Sequence, residues 1–588
     1  MSTQDEKGEV RFQGAPVSDG IAIGTPYFLS PLPPEMVPEF PITTAEVEDE
    51  IERYRRALFS SREDLERLQS DLANEGSVDA VSIIDTHIQM LEDPLMTSHM
   101  EERIRDTHQN TESVFRTVIG EFEKRLTETK DTFFQQRLVD VTDLSKRILG
   151  HLGAQEKLAM DQIPPNSVVF AKELVPSETA AVQATRISAF VTQIGGGHSH
   201  AALIARAKGI PFVASIDVQK LQNTPGACVI VDGVTGEIIV NPTSTTLRKY
   251  KALKKRLSAE YHQLQEEVHL PAKTLDGRLI AVYANAGEIG DVDQVHRYYA
   301  QGVGLFRSEN LFLQNPEFVY SEEMQVDAYS QLLQRAKGLP VVIRVFDLGG
   351  DKTPPLGLEQ EQELNPLMGC RGVRFLLRYK EVFRAQLRAI FKASQEGPVK
   401  LLLPLISDVE ELRQAKQVIE EVLRDFPGLS KIPLGCMMEV PSAILMTDAI
   451  VQEVDFLSIG TNDLVQFTLG VDRSNASMTA AHFPAHPSVI RLIRMALLEA
   501  KRAKKPIAVC GEIASNPLFI PLLLGLGLEE FSCSPRFIPM LKRIIRRNSF
   551  QDAAALAECV LQKQTSQEVS KILIDHYRAL LPEHQGAL

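Results

Sequence analysis

The sequence is short of basic charge and of cysteine, and it has no long apolar run. Lys and Arg number 63 against 77 Asp and Glu, a formal net charge of −14. A general nucleic-acid binder carries a basic excess, so that class is disfavoured, although a local basic patch remains compatible with these numbers. No run approaches the ~18–20 apolar residues needed to span a bilayer. The opening MSTQDEKGEVRFQG is polar and lacks the apolar core of a secretory signal, so a cytoplasmic location is expected. The six cysteines (Cys228, Cys370, Cys436, Cys510, Cys533 and Cys559) lie far apart and form no CxxC. That spacing fits reduced thiols, not a disulfide framework or a zinc site. No low-complexity tract appears. What is present is material for real cores: 44% of the 588 residues are hydrophobic, which excludes a wholly disordered chain. At about 100–200 residues per domain, the length suggests roughly three to five units.

The texture changes several times along the chain. Residues 9–30 mix Gly14, Pro16, Gly20, Gly24 and Pro26 with apolar residues, the pattern of short strands and turns. From Thr43 onward, Val47, Ile51, Tyr54, Leu58, Leu65, Leu68 and Leu72 recur on one helical stripe. Thr43 and Glu46 have the spacing of a capping box. Val81, Ile84, Ile88 and Leu91 repeat the helical period up to Pro94, and Phe115, Val118, Phe122 and Leu126 do so again. Residues 44–150 are therefore expected to form a subdomain of three or four packed helices, either purely structural or a docking platform. After about residue 165 come SVVFAKEL, ISAFVTQIGGG, PFVAS, CVIVDG and EIIVNP, short β-rich runs of a compact α/β unit. Thr245–Val268 is a charged helical stretch with little apolar surface, expected to link two halves.

The second half alternates regularly. Apolar runs at Leu279–Asn285, Val303–Arg307, Val341–Asp347, Lys400–Leu405, Leu434–Glu439, Asp455–Gly460, Ile507–Gly511 and Glu530–Ser534 are mostly separated by helical patterns. Eight such strands over some 310 residues predict a (β/α)8 barrel, with a doubly wound open sheet as the alternative. The runs are almost continuously apolar, as parallel strands buried on both faces are.

Polar residues cluster where those strands end, which is where a barrel carries its chemistry. Strand two ends in Arg307. Strand three carries Arg344 and Asp347, followed by Gly349 to Lys352. Strand five ends in Glu439, strand six runs into Gly460-Thr461-Asn462-Asp463, and strand seven ends in Cys510-Gly511-Glu512. Arg371 and Arg473 lie in following loops. Two carboxylates suit Mg²⁺, a hard cation that takes oxygen ligands and keeps positions open for substrate. Several arginines suit a small, highly anionic ligand held in bidentate fashion. A thiol amid such charge suits acid–base work, although a lone buried cysteine is often only a small hydrophobe.

A second candidate site is Gly195-Gly196-Gly197-His198-Ser199-His200-Ala201-Ala202. Three glycines after a strand permit close backbone approach. The following AALIARAKG reads as a helix whose N-terminus favours an anion near His200. A histidine so presented is a candidate nucleophile, able to accept a phosphoryl group and pass it on. Metal binding by His198 and His200 is the rival, with no third ligand evident at a suitable spacing.

GGGHSHAALIAR resembles the phosphohistidine loop of phosphoenolpyruvate-utilising enzymes. GVGLFRSENLF, IRVFDLGGDK, NPLMGCRGVR, GCMMEVPSA, DFLSIGTNDLVQFTLGVDR and VCGEIAS resemble barrel motifs of the same superfamily. The layout from about Gly14 to the C-terminus is similar to the enzyme I family of bacterial phosphotransferase systems. The resemblance implies an α/β phosphohistidine domain at 1–43 and 151–244, a helical subdomain at 44–150 that binds the carrier protein HPr, a linker helix at 245–270, and a barrel at 271–588 that binds phosphoenolpyruvate and dimerises. It implies His200 as the phosphorylated nucleophile, with Thr179 and Arg206 stabilising the transferred group. It implies Arg307, Arg344 and Arg371 around the substrate phosphate, Asn462 and Arg473 as orienting groups, Glu439 and Asp463 as Mg²⁺ ligands, and Cys510 as the acid that protonates C3 of enolpyruvate. The phosphoryl group would then pass to HPr, the first step of sugar uptake.

The chain departs from the family pattern at His198, where threonine is usual, at Gly197, where a bulkier or basic residue is common, and at Asn310, beside the strand-two arginine. Dikinases share the histidine loop and the barrel but need a nucleotide-binding domain of some 200 residues or more. Only about 165 residues precede the phosphohistidine unit here, most of them helical, which argues for a protein acceptor. A phosphoenolpyruvate-sensing regulator without a complete uptake chain is the remaining alternative.

Overall fold

The computed structural model describes residues 9–581 except 29–39, 45, 75–77, 94–96, 129–140, 142, 146, 150, 153–162, 173, 175–185, 195–200, 203–204, 206–208, 223–227, 315, 350–364 and 473–483. Contacts divide the chain into two compact units, residues 1–259 and 260–586.

The first unit carries an eight-stranded mixed sheet. Its strands are β1 (Val10–Gln13), β2 (Ala15–Ser18), β3 (Ile21–Phe28), β4 (Ser167–Ala171), β5 (Ile187–Thr192), β6 (Phe212–Ala214), β7 (Val229–Asp232) and β8 (Glu237–Val240). They lie in the order β1-β8-β7-β3-β4-β5-β6-β2. The central strands β4 and β5 pair in parallel and are almost wholly buried, which is why they read as unbroken apolar runs. The helical pattern that interrupts this sheet in sequence forms α1 (Val47–Asn74), α2 (Val78–Leu91), α3 (Ser98–Thr107) and α4 (Thr111–Glu128). The predicted stripe becomes the core of this bundle: Ile51, Tyr54, Leu65, Leu68, Ile84 and Phe115 are buried together. At its start both the backbone N–H and the hydroxyl of Thr43 donate to the Glu46 carboxylate at 2.7 Å.

The charged helix α5 (Ser244–Glu267) does more than connect. Its sparse apolar residues share one face, and Leu247, Tyr250, Leu253 and Leu257 pack against Ile21, Ile230 and Ile239 of the sheet. Tyr250 Oη donates to Glu237 at 2.8 Å. High charge elsewhere on α5 masks this seam in sequence.

The second unit is a closed parallel barrel of β9 (Ala281–Ala286), β10 (Val303–Arg307), β11 (Val341–Arg344), β12 (Val399–Leu403), β13 (Leu434–Met438), β14 (Phe456–Ile459), β15 (Ile507–Val509) and β16 (Glu530–Cys533), with β16 pairing β9. The eight expected strands are all present in the expected order. Inside it, Leu305, Leu402, Met437, Phe456 and Cys510 pack as one cluster, so the interior is filled and not a pore. Helices α6 (Glu322–Ala336), α7 (Lys380–Ala393), α8 (Val409–Asp425), α9 (Thr461–Leu469), α10 (Pro487–Arg502) and α11 (Ile538–Arg547) lie among those that follow the strands. No helix among the described residues is long and apolar enough to cross a membrane.

The end of α5 is fixed to the barrel unit by α11. Lys542 Nζ donates to the carbonyls of Val268, Tyr298 and Tyr299 at 2.8–3.2 Å, and Arg546 pairs with Glu267 at 2.8 Å. Replacing Lys542 by Met leaves three carbonyls without that donor. The expected loss is about 2–4 kcal/mol in the stability of this unit, read as a lower urea midpoint. An unchanged midpoint would show that water replaces the ammonium at no cost.

Candidate active site

The barrel gathers its charged residues at the C-terminal ends of its strands, as the sequence predicts. Arg307 ends β10 and is exposed. The next two residues, Ser308 and Glu309, are buried. Arg344 ends β11, and Asp347 follows it by three residues. Glu439 follows β13 directly. Gly460 links β14 to α9, so Asn462 and Asp463 fall in the first turn of that helix. Cys510 follows β15. The approach of these ends is tight: a Cβ on Gly460 would stand 2.6 Å from Glu439 Oε2, so any larger residue there would displace the Glu439 carboxylate.

These residues form one buried ionic network. Arg371, 2% exposed, donates through Nε and Nη2 to the two oxygens of Asp347, each at 3.1 Å. Its Nη atoms also reach Asp463 at 3.1 and 3.4 Å. Arg344 pairs with Glu309 and, at 3.3 Å, with Asp347. Asp347 therefore bridges two guanidinium groups. Burial opposes the charge on both arginines, but the surrounding carboxylates override it and raise their proton affinity above that of an ordinary guanidinium. Glu439 Oε1 accepts from the Leu405 amide at 2.7 Å. Burial pushes its carboxyl up to about 8, and the negative charge of Asp463 adds to that shift.

Glu309, Asp347, Glu439 and Asp463 are all buried, and the buried Arg344 and Arg371 lie among them. Among the described residues no three His, Cys, Asp or Glu side chains form a closed metal cage. Glu439 and Asp463, two buried carboxylates close enough to repel one another, fit an Mg²⁺ ion, which would take oxygen ligands.

Cys510 is 2% exposed. Ser458 Oγ donates to its sulfur at 3.1 Å, and its own thiol points at the Ile459 carbonyl at 3.5 Å. Burial raises the thiol proton affinity, so it is protonated at neutral pH. Asn462 and Glu512 exchange two hydrogen bonds of 3.0 and 2.9 Å at the rim.

Thus Arg344, Arg371, Glu439 and Asp463 converge, Cys510 lies within the electrostatic reach of Glu439, Arg344 and Arg307, and Asn462 sits beside them. His198, His200, Gly197, Thr179, Arg206 and Arg473 lie outside the described residues. Asn310 approaches Gly287 so closely that a Cβ there would stand 2.8 Å from its amide nitrogen, and nothing further explains its identity. Sequence reasoning missed Glu309 and Gln386. Glu309 was visible as a carboxylate two residues after the strand-two arginine. Gln386 lies on the apolar face of α7, where its amide nitrogen donates to Ser308 Oγ and Tyr329 Oη and its oxygen accepts from the Phe346 amide, each at 3.0 Å. Ser308 Oγ in turn donates to the Arg344 carbonyl at 2.6 Å, so a buried amide ties the ends of β10 and β11 together.

Comparison with known proteins adds independent findings. Residues 261–550 match the PEP-binding domain of PEP-utilising enzymes, residues 13–137 their N-terminal domain and residues 163–236 their mobile domain. Proteins named phosphoenolpyruvate-protein phosphotransferase are similar over nearly the whole chain. That of Chlamydia pneumoniae is 36% identical over 583 residues, 97% of this chain and 99% of its own. That of Geobacillus stearothermophilus is 34% identical over 566 residues, 95% of this chain and 97% of its own. That of Bacillus subtilis is 33% identical over 562 residues, 95% of this chain and 98% of its own. An Enzyme I protein (nEIt) solved by NMR aligns with 42% of this chain and 99% of its own at 29% identity and a TM-score of 0.36.

The bridging role of Asp347 can be measured without substrate. Asp347→Asn removes the charge shared by Arg344 and Arg371. The expected loss is about 3 kcal/mol in urea unfolding, because breaking a buried pair strands its partner. A loss within experimental error would mean that Glu309 and Asp463 hold the arginines unaided.

Proposed function

The chain belongs to the PEP-utilising enzyme family, and from that membership we propose that it moves the phosphoryl group of phosphoenolpyruvate to its own His200 and then to a histidine of the carrier HPr. The observation that carries the proposal is the buried cluster at the strand ends, where Glu439 and Asp463 lie near each other beside Arg344 and Arg371. Glu439 and Asp463 would hold Mg²⁺, which when bound lends positive charge to the phosphate and to the developing enolate. Arg307, the exposed arginine of the set, meets the substrate phosphate. Arg344 and Arg371 hold their charges fixed behind it, so their dipoles need no rearrangement as the reaction proceeds. Asn462 and Arg473 orient the substrate.

In the transfer, the bond between phosphorus and the bridging oxygen breaks and a nitrogen–phosphorus bond forms on His200, with Thr179 and Arg206 steadying the phosphoryl group. Enolpyruvate remains. The Cys510 thiol, kept protonated by burial, gives its proton to C3 and pyruvate leaves. His200 and the barrel belong to different units, so the units must close and reopen, with α5 (the expected linker at 245–270) as the hinge. The helical subdomain at 44–150 is the docking site for HPr, and nine acidic against five basic residues over 44–72 favour a basic partner face. The protein acts as a cytoplasmic homodimer through its barrel, where Leu445 and Met446 are exposed apolar side chains. The proposed role is the first step of a sugar phosphotransferase system.

Incubation with phosphoenolpyruvate labelled on phosphorus, with Mg²⁺, should give an acid-labile, alkali-stable label that maps to His200 and moves to HPr. His200→Ala should abolish it, while His198→Thr should retain most of it. Label lost with His198 but kept without His200 would reverse the loop assignment. Label that moved only to AMP and phosphate would point to a dikinase.

Mg²⁺ binding should release protons. The Glu439 carboxyl, held near 8, is largely protonated at pH 7 and must ionise to bind the cation, so affinity rises as pH climbs from 6 toward 9. Calorimetry in two buffers of different ionisation heat should find this release in the unaltered protein and lose it in Glu439→Gln. Binding independent of pH would place the cation elsewhere.

A further inference from the structure

Ser458 is a hydroxyl inside the barrel. It is 2% exposed and lies on β14 beside Phe456, whose neighbours inward are Leu305, Leu402 and Met437. A buried hydroxyl must spend its donor somewhere, and this one spends it on the Cys510 sulfur at 3.1 Å.

The rest of Cys510 is held as firmly. Its amide donates to the Ile459 carbonyl at 3.1 Å. Its carbonyl accepts from Asn285 Nδ2 at 2.9 Å, and Asn285 Oδ1 accepts from Ser532 Oγ at 2.6 Å. Strand β14 thus holds the thiol, while Asn285 of β9, itself held by Ser532 of β16, holds the backbone of Cys510.

We propose that Ser458 is a positioning residue for proton transfer at C3: its hydroxyl aims the Cys510 sulfur and stabilises the thiolate that proton delivery leaves behind. The inference rests on the reading of Cys510 as the acid. In that step the enolate electron pair forms the new C–H bond, the S–H bond breaks, and its electron pair stays on sulfur. The thiolate forms where burial and the charge of Glu439 oppose it and where Arg344 and Arg307 favour it. A hydrogen bond donated to the sulfur works in the same sense as the arginines, and is aimed at the atom itself. In reverse, the same thiolate takes a proton from the methyl group of pyruvate, and solvent exchange then replaces it.

The reverse step gives a direct test. The unaltered protein is incubated with Mg²⁺ and pyruvate in D2O, and loss of the methyl proton signal is followed by NMR over a range of pH. Cys510→Ala should abolish the exchange. Ser458→Ala should slow it about ten- to hundred-fold, the loss expected for one hydrogen bond to a charged group, and displace its pH profile upward. Ser458→Thr, which keeps the hydroxyl, should restore most of the rate. The KM for phosphoenolpyruvate in Ser458→Ala should move by less than about two-fold, since only the proton step is affected. Exchange at the normal rate in Ser458→Ala, with Cys510→Ala inactive, would overturn the role of Ser458 alone. A slow Ser458→Ala that threonine does not rescue and whose KM rises in parallel would reduce Ser458 to a packing role. Exchange that persists in Cys510→Ala, or is absent from the unaltered protein, would overturn the acid reading beneath it.

Discussion

The second unit depends on keeping four carboxylates and two guanidinium groups buried together at one end of a barrel. Each of those groups is costly to bury alone. They persist because each arginine is shared: Arg371 spans Asp347 and Asp463, and Arg344 spans Glu309 and Asp347. The sharing fixes the relative positions of the ends of β10, β11 and β14. Glu439, whose proton affinity is raised by burial and by the charge of Asp463, stands beside this network.

The barrel was legible because its signal is redundant. Eight apolar runs, regular spacing and polar residues at the same end of each run all point to one architecture, and an error in any single strand would have left the others in place. The strand bounds differ from expectation by at most three residues; β10 matches in full, and the largest difference is at β11, which ends at Arg344, so that Asp347 lies in the loop that follows. The charged partners were legible only in part. Glu439 was visible because it ends an apolar run, Arg344 because it interrupts one, and Asp463 because it follows one closely. Gln386 was hidden, because its function lies in bonds to β10, β11 and α6 that no local pattern encodes. Ser458 was hidden for a different reason: a serine in an apolar strand reads as a small tolerated residue until its neighbour across the strand is known to be a thiol.

The helix α5 shows the limit of charge content as a guide. Its composition reads as a solvated connector, yet four apolar residues at helical spacing seat one half on the sheet, and Glu267 at its far end is held by Arg543 and Arg546.

The claim on which the account turns is that the strand-end cluster binds one divalent cation. Mn²⁺ in place of Mg²⁺ makes that visible by electron paramagnetic resonance. The account predicts one bound ion per chain, a spectrum altered by phosphoenolpyruvate because substrate enters the coordination shell, and loss of the ion in Asp463→Asn. An ion that binds equally well in Asp463→Asn, with a spectrum indifferent to phosphoenolpyruvate, would contradict it.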